Sequence, residues 1–292
     1  YIFQFIKLVM AINEQNNDIR EQQRQLWNKF SPGWEKWDNF VIGWLRPIGD
    51  KLLEEASLME GHLVLDVATG TGEPGLTAAQ NIGNGKVIGT DLAEEMINIA
   101  NKKANIKGIS NYTAHVADSS GLNFENESFD SVICRFGIMY FPEPQDGVKE
   151  MARVLKKGGK ISLSAWTGPQ KNQWATAASA VINKMLNLPP PPANAPGVFR
   201  CSQAGTLTSF LKEAGLQNIE EKEITGEIYF DSPEHYWEFV NDVVAPVATA
   251  LSKVDQETKE KIKQEICRAV KSNEINGKIL FTWSTWVASG TK

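Results

Sequence analysis

The sequence predicts an α/β fold built on a mostly parallel, doubly wound sheet with helices on both faces. Three observations carry that expectation. The apolar run Val64-Leu65-Asp66-Val67 feeds a glycine-rich turn, Ala68-Thr69-Gly70-Thr71-Gly72-Glu73-Pro74-Gly75. Short apolar strands then alternate with helical segments over about residues 60–166. The next strand closes on an acid, Asp91, 19 residues beyond Gly72. At that spacing a carboxylate after the second strand can grip a ribose.

Each element has its own signal. Lys86 to Asp91 is a short buried strand, and Ala93, Met96, Ile97, Ala100 and Ala104 recur at helical spacing on one apolar face. Tyr112 to Val116 forms a third strand ending in Ala117-Asp118-Ser119. Phe129 to Cys134 is a fourth, leading into Arg135-Phe136-Gly137-Ile138-Met139-Tyr140-Phe141. A helix through Val148, Met151, Val154 and Leu155 stops at Lys157-Gly158-Gly159-Lys160, before a strand at 161–165. Beyond Trp166 the sequence predicts a helix over 173–188 and a stiff, extended connection through the proline run that follows. A helix over 207–214, stopped by Gly215, and a strand over 219–230 come next. Ser232-Pro233-Glu234 starts a helical stretch reaching about Lys271, and 278–287 returns as an apolar, aromatic strand.

At the amino end, residues 11–24 are polar and form an exposed helix. Trp27, Phe30, Trp34, Trp37, Phe40 and Trp44 follow at spacings of three or four, with a helix break expected at Ser31-Pro32-Gly33. The apolar stretch 1–10 is too short to span a bilayer. With Met10 available as a start, residues 1–9 are expected to lie upstream of the natural chain or to come from cloning.

The glycine-rich turn lets backbone N–H groups approach a ligand, and together with Asp91 it points to an adenosine-containing cofactor. Gly70-x-Gly72-x-x-Gly75 also fits a dinucleotide fingerprint, so local chemistry must separate the two readings. Asp66 lies four residues before Gly70. A carboxylate there would repel a pyrophosphate, whereas it suits the ammonium of S-adenosylmethionine. Asp118, acceptor-only when ionised, is placed for the adenine amine.

Four blocks together resemble the class I S-adenosylmethionine-dependent methyltransferases, and within them the ubiquinone/menaquinone C-methyltransferase group. They are Leu65-Asp66-Val67-Ala68-Thr69-Gly70-Thr71-Gly72, Gly89-Thr90-Asp91-Leu92, Phe129-Asp130-Ser131-Val132 and Arg153-Val154-Leu155-Lys156-Lys157-Gly158-Gly159. Ala68, where the family often has glycine, and Lys157, where it usually has proline, depart from the pattern. The resemblance implies a Rossmann-like, seven-stranded sheet with its last strand antiparallel beside the sixth. It also implies amino-terminal helices over the site and a helical cap before the last strand. The chain then divides into a lid segment 1–45, a cofactor-binding core 46–170, connecting elements with the sixth strand 171–231, a cap 232–276 and the last strand 277–292. The expected cofactor residues are Asp66, Ala68, Thr69, Gly70, Gly72, Asp91, Leu92, Met96, Ala117, Asp118, Ser119, Arg135 and Phe136, with S-adenosylhomocysteine as the product.

A sulfonium methyl is already activated, so the protein need only hold a nucleophile in line and exclude water. A base is required only for a nucleophile that arrives protonated. Candidates for that base are Tyr140, at the carboxyl edge of the sheet, and His235, at the start of the cap; His62 reads as structural and His115 as core. Trp34, Trp37, Met139 and Tyr140 are the candidate substrate residues. The tryptophan-rich entry and the cap suggest a small apolar or aromatic acceptor. With 30 basic against 35 acidic residues, and basic runs no longer than pairs such as Lys102-Lys103, the composition argues against a nucleic-acid partner. Three widely spaced cysteines, Cys134, Cys201 and Cys267, make no disulfide framework and lack metal spacing. No metal is therefore expected, and a reducing, cytoplasmic compartment is. The competing readings are a catalytically silent S-adenosylmethionine-binding protein, an RNA methyltransferase and a dinucleotide oxidoreductase. The intact set Asp66, Gly70, Gly72, Asp91 and Asp118 favours an enzyme, and no nicotinamide segment is recognisable.

Overall fold

The apolar strand sequences are buried on both faces: Val64, Leu65, Val132, Ile133, Ile161 and Leu163 are inaccessible to solvent, as strands of a parallel sheet covered on both sides must be. The computed structural model describes residues 2–189, 192 and 195–292, with side chains from residue 14 onward. Pro190, Pro191, Ala193 and Asn194, where the stiff connection was expected, lie outside the described residues.

In chain order the elements are α1 (Ile2–Lys36), α2 (Asp38–Glu55), β1 (Leu63–Val67), α3 (Gly75–Asn81), β2 (Lys86–Asp91), α4 (Glu94–Ile106), β3 (Tyr112–Val116), β4 (Phe129–Arg135) and α5 (Pro144–Val154). There follow β5 (Leu155–Trp166), α6 (Gln173–Leu186), α7 (Thr206–Glu213), β6 (Gln217–Phe230), α8 (Pro233–Val243), α9 (Ala245–Leu251), α10 (Gln256–Val270), β7 (Glu274–Ile275) and β8 (Lys278–Thr291). The sheet runs β3-β2-β1-β4-β5-β8-β6. It is parallel from β3 to β5, and β8 is antiparallel to both β5 and β6. The two-residue β7 pairs with the start of β8 as a small hairpin. This is the expected mostly parallel sheet with its last long strand antiparallel. Among the described residues no helix is long and apolar enough to cross a membrane.

Three local expectations are corrected. The helix does not break at Ser31-Pro32-Gly33; α1 runs through Pro32. Proline removes the N–H that would reach the Asn28 carbonyl, and the Ser31 hydroxyl donates to that carbonyl instead, at 2.9 Å. Gly33 serves a close approach, since a Cβ there would lie 2.1 Å from the backbone oxygen of Asp242 in α8. The break comes at Trp37, between α1 and α2. Likewise Lys157-Gly158-Gly159 does not precede the fifth strand but lies inside it. Pairing jumps from Phe129↔Leu155 to Ser131↔Lys160, so the glycines bulge out of β5. His115 is exposed rather than core, because β3 is the sheet's edge.

Candidate functional site

β1 to β4 end at one edge of the sheet, and residues just past their ends converge on a cavity of about 190 Å³. The loop after β1 turns back through three left-handed residues, Ala68 (φ 56°), Gly70 (54°) and Gly72 (102°). That path lets Thr69 N–H donate to the Thr90 carbonyl and Gly70 N–H to Asp91 Oδ2, both at 2.9 Å. Asp91 Oδ1 accepts from Ala93 N–H, also at 2.9 Å. Burial pushes the Asp91 pKa up while these backbone donors pull it down. Each carboxylate oxygen keeps a further lone pair for a diol in the cavity.

Ala68, Thr69, Gly70, Asp91, Leu92, Met96, Ala117, Asp118, Ser119, Arg135 and Phe136 all line this cavity. Of the expected cofactor residues, Asp66 and Gly72 do not. Asp66 lies fully buried beneath the loop, where its Oδ2 accepts from Thr69 Oγ1 at 2.6 Å and from Gly75 N–H at 3.0 Å. The Tyr112 hydroxyl completes the cluster, 2.9 Å from Thr69 Oγ1. Asp66 is thus a brace that ties the start of the glycine turn to the start of α3, and it is not among the residues lining the cavity where the ammonium contact was expected. Burial pushes its carboxyl from the ordinary 3.8 up to about 7, against the opposing pull of Thr69 and Arg135.

The sign of that shift sets a pH dependence. A folded pKa above the unfolded one means that ionising Asp66 opposes folding. The group's contribution to stability is greatest below about pH 4, falls as the pH rises to about 7, and is flat beyond. Asp66→Asn keeps an acceptor for Thr69 and Gly75 and removes the charge. We expect its melting temperature to depend less on pH between 5 and 8 than the wild type's; parallel curves would refute this account.

The other half of the cavity is aromatic. Trp44 stacks on Trp166 with ring centroids 5.6 Å apart, and Phe136 stacks on the same indole at 4.2 Å. Trp174 meets both indoles edge-on. Trp27 sits edge-on to Trp34 and to Tyr140, 4.9 Å away. Phe136 holds a left-handed φ of 66°, strain of a kind that clusters at binding sites. Phe239, Val243, Val244, Ala245 and Pro246, from the end of α8 and the start of α9, close this half.

Of the expected substrate residues, Trp34, Met139 and Tyr140 line the cavity, whereas Trp37 does not. The helix break at Trp37 turns its indole toward α8, where Nε1 donates to Asp242 at 2.9 Å. The His235 ring stacks on that indole at 5.1 Å, and its Nδ1 accepts from Asp231 N–H at 3.0 Å. His235 is likewise absent from the lining. Tyr140 lines the cavity, and burial raises the pKa of its phenol.

Sequence reasoning named Trp34 but missed the rest of its stripe on α1. Arg20, Gln23, Trp27 and Trp34 all line the cavity, at spacings of three, four and seven on one helical face. Their periodicity was readable, but Arg20 and Gln23 interrupt the apolar pattern by which such faces are found. Arg20 Nε pairs with Asp118 at 2.6 Å, and Arg20 also donates to Ser120 Oγ at 2.8 Å. Asn28 Oδ1 accepts from Glu95 N–H at the start of α4, at 3.0 Å. α1 is thus fastened across the cavity as a roof.

A family model described as a methyltransferase domain matches residues 64–159. The chain is 29% identical over 164 residues to a demethylmenaquinone methyltransferase of Bacteroides fragilis, covering 52% of this chain and 62% of that one. It is 34% identical over 141 residues to the ubiquinone/menaquinone biosynthesis C-methyltransferase UbiE of Bdellovibrio bacteriovorus, covering 48% and 60%. It therefore spans about three fifths of the length of these relatives. Among solved structures it is similar to the YcgJ protein of Bacillus subtilis, with a TM-score of 0.58 and 20% identity over 84% of this chain and 97% of that one. It is also similar to the cyclase SpnF, at 0.51 and 18% over 84% and 80%. At these identities the structures speak for the fold alone. Residues 64–159 are thus similar to a methyltransferase domain, and over about half its length the chain resembles the ubiquinone/menaquinone C-methyltransferases, on a sheet of the order expected for such a domain.

Proposed function

We propose that the protein transfers the methyl group of S-adenosylmethionine to a small apolar or aromatic molecule by in-line displacement. The observation that carries this reading is one continuous cavity with an acidic half and a tryptophan half. In the acidic half, Asp91 suits the ribose diol, Asp118 the adenine amine, and Leu92, Met96 and Ala117 the purine faces. Glu73 also lines the loop, where it would repel the diphosphate of a dinucleotide. When bound, the sulfonium supplies an electrophilic methyl group.

The chain's own contribution is then to position the acceptor and exclude water. The stacked Trp44, Trp166 and Phe136 favour a flat acceptor. The buried indole nitrogens of Trp34 and Trp44, which have no partner, are donors for an oxygen on it. Neither base candidate supports proton abstraction by the protein, so we read catalysis as positional. Tyr140→Phe and His235→Ala should therefore each keep turnover within about threefold of wild type. A hundredfold loss of kcat in either, with cofactor affinity intact, would restore that residue as the base. The names of the relatives make a reduced naphthoquinone the first acceptor to assay. The unpaired Cys134, Cys201 and Cys267 fit a reducing, cytoplasmic setting. The absence of long basic runs fits a small molecule better than RNA.

The primary test is thermal stabilisation by S-adenosylmethionine, S-adenosylhomocysteine and NAD in parallel. A ligand at a hundredfold excess over its Kd adds about 2.7 kcal/mol. A shift with both sulfur nucleosides and none with NAD is expected; a shift with NAD alone would overturn the proposal. Cofactor binding without turnover on any acceptor would favour the catalytically silent reading.

A further inference from the structure

At the end of β4 the half-buried Arg135 lines the cavity, and its guanidinium, which reaches toward Gly49 of α2, has no partner. Among the described residues it makes no hydrogen bond or ion pair. The acids whose charge it feels, Glu73, Asp66 and Asp38, act through space only, and burial works against its charge. Those acids also have bonds elsewhere, although Asp66 Oδ1 has no partner. Glu73 Oε2 accepts from Thr77, Asp66 braces the loop, and Asp38 pairs with Lys103 at 2.6 Å. A shielded guanidinium with all its donors idle is poorly placed unless a ligand brings an anion.

The sheet order says which part of a ligand arrives there. Asp118 follows β3, Asp91 ends β2, the glycine turn follows β1 and Arg135 ends β4, in the spatial order β3-β2-β1-β4. A nucleoside with its base at Asp118 and its ribose at Asp91 directs its 5′ substituent across the turn toward Arg135. Building on the S-adenosylmethionine reading, we infer that Arg135 anchors the carboxylate of the cofactor's amino-acid tail and makes the site reject nucleosides that lack it. A planar guanidinium and a carboxylate pair through two parallel N–H···O bonds. The same chemistry would be met by an acidic acceptor, and the test separates the two sources.

The experiment is calorimetric titration of the full chain with S-adenosylmethionine and with decarboxylated S-adenosylmethionine, for wild type, Arg135→Gln and Arg135→Lys. Wild type should bind the carboxylated nucleoside about thirtyfold more tightly, the scale of one charge-assisted pair. Arg135→Gln should abolish that preference by weakening S-adenosylmethionine alone, and Arg135→Lys should keep part of it. Because the guanidinium has no protein partner, the melting temperature of Arg135→Gln without ligand should match or exceed that of wild type. Equal weakening of both ligands, or a preference that survives in Arg135→Gln, would overturn the assignment. Unchanged affinity for both would do so too, and would make an acidic acceptor the group that Arg135 meets. Failure of wild type to bind either sulfonium nucleoside would instead refute the cofactor reading itself.

Discussion

Replacing Asp91 by alanine is expected to weaken S-adenosylmethionine binding by about 3 kcal/mol or more, over a hundredfold in Kd, since hydrogen bonds to a charged group contribute roughly 1.5–3 kcal/mol each and the ribose offers two hydroxyls. The loss has a second source. Asp91 also accepts the Gly70 and Ala93 N–H groups, so alanine orphans both donors, frees the glycine turn and removes the acceptor at the start of α4. The unliganded protein should melt earlier as well, which separates Asp91 from a residue that touches ligand alone. Asp91→Asn retains one acceptor oxygen and should fall between. Titration calorimetry with melting curves measures both effects. An alanine variant that binds within threefold of wild type would place the ribose elsewhere.

Gly137→Ala should be nearly as damaging without touching a polar group. A Cβ at this position would sit 2.3 Å from the Ala68 Cβ and 3.1 Å from Cys134 Sγ. Neither neighbour can yield cheaply. Cys134 belongs to β4, and Ala68 is fixed in the left-handed region at the start of the cofactor turn. Overpacking of this kind costs about 1–3 kcal/mol, and the clash is relieved by pushing the turn away from Asp91, so affinity should fall with stability. The check is a second change at the contact. Ala68→Gly removes the opposing methyl at a backbone angle that glycine prefers, and it should rescue Gly137→Ala. A single Gly137→Ala variant with wild-type melting and wild-type affinity would contradict the contact.

What was legible in the sequence was whatever a short stretch of backbone has to do. The strand apolarity, the glycine turn, the acids at the ends of β2 and β3 and the Ser-Pro-Glu helix start each depend on neighbours within a few residues, and each appears as expected; at the last of these, Ser232 accepts from His235 N–H. Orientation was less legible. Trp34 and Trp37 are one helical turn apart and would share a face on a continuous helix, but the break at Trp37 sends one indole into the cavity and the other to Asp242. Asp66 has the right type and position for a ligand contact, yet the α3 start reaches it first. Pro32 carried a true signal for a broken hydrogen bond, answered by one hydroxyl a residue away. Long-range partners decide such cases, and local pattern does not contain them.

The roof has one consequence for how ligands come and go. From Arg20 to Trp34 a single uninterrupted helix spans about 21 Å at 1.5 Å per residue, covering the acidic half at one end and the aromatic half at the other. Such a rod does not hinge in the middle, so whatever admits the nucleoside also uncovers the place of its methyl acceptor. Its fastenings are largely ionic: Arg20 to Asp118, Glu35 to Lys102 and, just beyond its end, Asp38 to Lys103. If the rod lifts as one piece, both ligands would share one doorway whose latches loosen together, and raising the ionic strength would speed traffic through it.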